Sequence, residues 1–166
     1  MYKDITYGRH EVLKREKQAF VEQMMDATSI LVWGINGELC DIGSWGSNDE
    51  WAREFDPETG KWHKMTIKDF YCAVTRRMAE IDFERLCELC NPNNKYPLFV
   101  DEAFLKCECE RPEYYSKEVW YVKDDRNYYC NCHMGKEAMF ENLWKFADGM
   151  GLKLDITAEF PDEEQQ

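Results

Sequence analysis

The sequence predicts an α+β fold: a single domain with a largely antiparallel sheet built from hairpins and three to four helices packed on one side. Three observations carry this. Apolar residues recur at three- and four-residue spacing around residues 9–27, 66–90 and 136–148, the pattern of helices with one buried face. Short β-rich runs are separated by turn dipeptides such as Asn36-Gly37. Strand-like runs also follow one another through turns instead of alternating with helices, which favours antiparallel pairing.

The elements follow in order. Residues 1–8 read as a short arm. From Arg9 to Ala27 a helix places Val12, Leu13, Ala19, Phe20 and Met24 on one face. Thr28–Ile35 is apolar and β-rich, and Asn36-Gly37 turns it into a return strand, Glu38–Ile42, because a type I′ turn needs positive φ at both central residues. Trp51–Phe55 and Lys61–Met65 flank Asp56-Pro57-Glu58-Thr59-Gly60 and make a second hairpin. Thr66 is a helix cap with Asp69 three residues on, followed by Ile67, Phe70, Tyr71, Val74 and Met78 on one face. Asp82 caps a shorter helix that ends near Cys90, before Asn91-Pro92. Leu98–Val100 and Phe104–Cys109 read as strands. Glu118–Lys123 and Tyr128–His133 pair around the four residues Asp124–Asn127. A helix over Lys136–Asp148 buries Met139, Phe140, Leu143, Trp144 and Ala147, and Leu152–Thr157 alternates as a half-buried strand. The expected domain is 1–157, with 158–166 an acidic, disordered tail.

Thirty-three acidic residues against 21 basic give a net charge of −12. This excludes the basic type of nucleic-acid-binding domain and docking on anionic membranes. The expected partner is a basic protein, such as a nucleic-acid-processing enzyme. The excess is uneven: residues 28–65 carry net −4 and residues 136–166 net −5. If these two segments meet, they make an acidic face. Within the first, the stretch 44–62 combines tryptophans with carboxylates. Trp45, Asp49, Glu50, Trp51, Glu54, Asp56 and Glu58 are the candidate partner-binding residues, since aromatics anchor interfaces and charge steers the encounter. The start lacks an apolar leader and no apolar run has the length of a membrane span, so a cytoplasmic, reducing location is expected.

Six of the eight cysteines fall within residues 87–132, as Cys87/Cys90, Cys107/Cys109 and Cys130/Cys132. A reducing compartment argues against a disulfide framework. The favoured reading is a core face: on strands of period two, Cys107 and Cys109 share a face with Leu105, while Cys130 and Cys132 lie opposite Tyr121 and Val119. The alternative is zinc held by a set drawn from these six cysteines. Only Cys87/Cys90 has the usual knuckle spacing, and His133 is expected to point away. Cys72 and Cys40 carry no reactive signature. The redox reading fails because Cys87 and Cys90 close a helix, where its dipole disfavours a thiolate.

No catalytic residue is assigned. His10, His63 and His133 stand in no recognised spacing, and phosphate-loop, dinucleotide and nucleophile-elbow motifs do not occur. In size and charge the chain resembles the small acidic inhibitors that phages and mobile elements direct against host nucleases. That resemblance rests on no motif. It implies a non-enzymatic binding protein, in effect a nucleic-acid mimic, that occupies a basic surface of its partner. The alternative is a zinc-stabilised protein- or nucleic-acid-binding module.

Overall fold

A computed structural model describes residues 1–7, 14–46, 53–56, 58, 61–64 and 66–162. Side chains are not described at 14, 15 and 31, nor between 39 and 64 apart from Glu58. The strands are β1 (Tyr2–Tyr7), β2 (Ser29–Ile35), β3 (Glu38–Gly46), β4 (Arg53–Asp56), β5 (Lys61–Lys64), β6 (Phe99–Asp101), β7 (Tyr121–Lys123), β8 (Arg126–Cys130) and β9 (Leu154–Glu159). The helices are α1 (Lys14–Asp26), α2 (Ile67–Glu88), α3 (Glu102–Cys107) and α4 (Lys136–Gly149). The α+β class is as expected, but the strands divide into two antiparallel sheets. One is six-stranded, in the order β1-β9-β2-β3-β4-β5, and the other three-stranded, β6-β8-β7. No helix among the described residues is long and apolar enough to cross a membrane.

Local chemistry explains most elements. Asn36 and Gly37 take φ of 53° and 85°, the tight turn that joins β2 to β3. Thr66 caps α2 reciprocally: its hydroxyl accepts from the Asp69 amide at 3.1 Å, and the Asp69 carboxylate accepts from the Thr66 amide at 3.4 Å. Replacing Thr66 with Ala orphans the Asp69 amide and is expected to cost about 1 kcal/mol in a urea melt. Asp82 does act as the second cap. It leaves helical geometry (φ −160°, ψ 87°), kinks α2, and its carboxylate accepts from the Arg85 amide.

Three expectations are corrected. The arm at residues 1–8 is β1, an edge strand paired with β9 from Tyr2↔Glu159 to Tyr7↔Leu154. The strand expected over 104–109 is helical: Asp101 caps it, its carboxylate accepting from the Phe104 amide at 2.8 Å, and α3 carries the chain to Cys107. The β7–β8 hairpin turns on two residues, Asp124 and Asp125, both at positive φ, and not on four. Tyr121 therefore faces Tyr128, and Cys130 pairs with Phe99 of β6. At the other end, β9 runs past residue 157 to Glu159, with Ala158 fully buried.

The core joins both sheets. Leu154, Ile156 and Ala158 of β9 alternate inward, and α1, α2 and α4 cover that face. Tyr7 meets Phe20 of α1 and Trp144 of α4, with ring centroids 5.0 Å and 5.6 Å apart, and Trp33 of β2 meets Phe70 of α2 at 5.7 Å. On its other side α2 packs on the small sheet: Phe83 lies 4.7 Å from Tyr128 and 5.1 Å from Tyr121. α2 is thus buried from two directions. Its buried set, which includes Tyr71, Cys72, Thr75 and Ala79, is wider than a single stripe.

Candidate functional site

The double burial of α2 turns Cys72 inward, and the small sheet brings two more thiols to meet it. Cys130 ends β8, and Cys132 lies beyond the isolated bridge between Asn131 and Tyr115. Cys130 and Cys132 face α2, while Asn131 between them turns the opposite way and donates to the Tyr96 carbonyl at 3.3 Å. The sulfurs of Cys72, Cys130 and Cys132 all lie within 4.8 Å of one another, and those of Cys72 and Cys132 are 3.2 Å apart. Exposure is 9%, 0% and 7% respectively, so the cluster sits at the inner edge of solvent reach.

The backbone around the thiols is held on every side. The Trp120 indole N–H donates to the Cys72 carbonyl at 3.0 Å and to the Thr75 hydroxyl at 3.1 Å. The Cys130 amide donates to Ser116 Oγ, the Asn131 amide to the Leu98 carbonyl, and the Cys132 amide to the Tyr114 carbonyl. The three thiols titrate as a unit. Cys132 is pushed down because the Cys130 and Cys72 thiols hydrogen-bond to its sulfur, against the opposing effect of burial, with Lys68 adding positive charge. Cys130 is pushed far up, by burial first and then by its two thiol neighbours. For Cys72, the hydrogen bond from Cys130 pulls down, but that with Cys132 and burial outweigh it and raise the thiol to about 12. Loss of a proton is therefore a property of the cluster as a whole.

A cleft of about 350 Å³, which none of the three thiols lines, is bounded among others by Tyr96, Tyr114, Asn131, His133, Asn142 and Lys145. His133 does point away from the thiols. Its ring stacks on Tyr114, with centroids 3.8 Å apart and planes 3° from parallel.

The other candidate residues are distributed differently. Cys107 is exposed at the end of α3, Cys109 is half-buried beyond it, Cys87 is exposed and Cys90 half-buried. None of these four belongs to the group that converges, so of the six cysteines singled out in the sequence only Cys130 and Cys132 do. Of the acidic hairpin, Asp49, Glu50 and Trp51 lie outside the described residues. Trp45 is on β3, and Glu54 and Asp56 are on β4, with side chains not described; Glu58 is exposed. β9, from the segment of net −5, pairs with β2, from the segment of net −4, between Ser29↔Glu159 and Ile35↔Leu154, but β2 itself carries no charged residue. On the uncovered face of that sheet, Thr6 donates to the Asp155 carboxylate at 3.0 Å and Thr157 to the Asp4 carboxylate at 2.6 Å.

Sequence reasoning missed Cys72. The available signal was its place one turn before Thr75 and Arg76, on a helix with more apolar residues than one stripe needs. No protein-family model, curated protein or solved structure matches the chain, so its function has to be argued from these residues.

Proposed function

We propose that the chain is a non-enzymatic binding protein whose acidic face occupies a basic, nucleic-acid-binding surface of a partner protein. One observation carries the reading: paired strands β1 and β9 set Asp4 and Asp155 side by side on the uncovered face of the large sheet, and β9 belongs to the segment of net −5. On the uncovered face, Asp4 and Asp155 are held across strands by threonine hydroxyls, which fixes carboxylates at strand spacing without neutralising them. Lys153, 3.7 Å from Asp155, offsets part of this charge. The thiol cluster is buried, which leaves recognition to the outer surface.

An array of this kind acts through long-range attraction, so its affinity depends on salt. Host proteins retained by the immobilised chain would be identified, and the dissociation constant of the retained partner measured over a salt series. The expected partner is basic, is competed off the chain by duplex DNA that takes the same surface, and loses at least about tenfold in affinity between low and physiological salt. The doubly substituted Asp4→Asn, Asp155→Asn chain should bind more weakly and with a shallower salt slope. A partner that is not basic, or binding indifferent to salt, refutes the reading.

A further inference from the structure

We propose that Cys72, Cys130 and Cys132 form a buried three-thiolate site for a thiophilic d¹⁰ cation, zinc(II) or copper(I). The donors come from two segments about sixty positions apart in the chain, yet their sulfurs meet within 4.8 Å. A metal–sulfur bond of about 2.3 Å places coordinated sulfurs about 3.8 Å apart. The Cys72–Cys132 separation of 3.2 Å opens to that value by a sub-ångström movement.

The donor set selects the ion. Among the described residues the group contains only sulfur, with no carboxylate or imidazole. Hard cations such as magnesium and calcium take oxygen ligands and are excluded from such a set, whereas soft thiolates suit zinc and copper(I). The surroundings are organised as a metal site requires. The indole of Trp120 holds the Cys72 carbonyl, and the Ser116 hydroxyl and Tyr114 carbonyl hold the Cys130 and Cys132 amides, so each ligand backbone is fixed before an ion arrives. Cys72 and Cys132 keep 9% and 7% of their surface exposed, which leaves the cluster within reach of an entering ion.

Three thiols can also meet merely as small apolar groups, and two of them can be oxidised to a disulfide; the experiment must separate these cases. The site is independent of the acidic face, so the failure of one proposal leaves the other standing.

The full chain, purified under argon, is assayed for bound metal and then titrated separately with zinc(II) and with copper(I) against a competing chelator. The expected result is one equivalent of either ion, a higher melting temperature in its presence, and loss of both effects in Cys72→Ala and in Cys132→Ala. Cys107→Ala and Cys87→Ala should behave as the parent. Because a core substitution can disturb folding, circular dichroism of each metal-free variant is compared with the metal-free parent. A folded Cys72→Ala chain that no longer takes up the ion supports the site. No uptake by the parent overturns the proposal, as does uptake that survives in Cys72→Ala but is lost in Cys87→Ala or Cys107→Ala. A parent chain recovered under argon with Cys72 and Cys132 cross-linked, two hydrogens lighter, overturns it as well.

Discussion

Replacing Trp120 with alanine is expected to destabilise the protein by about 3–5 kcal/mol. The side chain is 1% exposed and its ring stacks on Phe99, with centroids 4.5 Å apart and planes 5° from parallel. Its indole N–H is shared between the Cys72 carbonyl and the Thr75 hydroxyl. Truncation therefore opens a cavity between α2 and the small sheet, and also leaves buried polar atoms without their donor. Since native domains are stable by about 5–15 kcal/mol in total, this variant stands close to the unfolding threshold. Trp120→Phe separates the two contributions. It keeps the stack and loses only the donor, for a cost of about 1–3 kcal/mol. Urea denaturation with an unchanged slope is the measurement. An alanine variant within about 1 kcal/mol of the parent would show that Trp120 does not join the small sheet to α2.

Phe20→Ala is expected to cost a similar amount, about 3–5 kcal/mol, at the opposite end of the core. Phe20 is fully buried, and its ring meets Tyr7, Trp33 and Phe140 edge-on at 5.0, 6.0 and 6.3 Å, with Trp144 tilted at 5.2 Å. These partners belong to β1, β2 and α4, so one side chain on α1 ties three elements together. Edge-to-face pairs add about 0.5–1.5 kcal/mol each beyond area burial, which places the loss at the upper end for a truncated phenylalanine. Phe20→Leu retains most of the volume and loses the ring geometry, so it should cost less than half as much. Thermal melts of the two variants, compared with the parent, check the ranking. Equal costs for Leu and Ala would mean that the ring contacts, and not the filled volume, account for the whole effect.

The helices were legible in the sequence because α1, α2 and α4 bury continuous faces, and spacing reports such faces directly. The β2–β3 turn was legible because Asn-Gly is matched to positive φ at both positions. β1 was not, since its residues are mostly exposed and its partner, β9, lies at the far end of the chain; an edge strand leaves little periodic signal. The run 104–109 fits either period over so few residues, and what decides it is the Asp101 cap. The β7–β8 register was missed because Asp-Asp is a weaker turn signal than Asn-Gly, although both aspartates take positive φ. That register carried the thiol argument with it: once Cys130 pairs with Phe99, its neighbourhood is set by β6 and α2, and not by β7. Cys72 was passed over because one buried stripe was assumed for a helix that two sheets enclose.

The position of β9 has a consequence for how the molecule comes into being. It follows every other described element in the chain, yet it lies between β1 and β2 in the sheet. Until it emerges, β1 has no hydrogen-bonding neighbour and β2 keeps one edge open. The small sheet, α2 and the hairpins β2 to β5 can assemble from nearby segments, while β1 and the open edge of β2 have to wait for contacts that close loops of more than a hundred residues. Such long-range pairing is slow and leaves strand edges exposed in the meantime. A chain interrupted before residue 154 is therefore expected to collapse around α2 with two unsatisfied edges, the condition in which strands of separate molecules join one another.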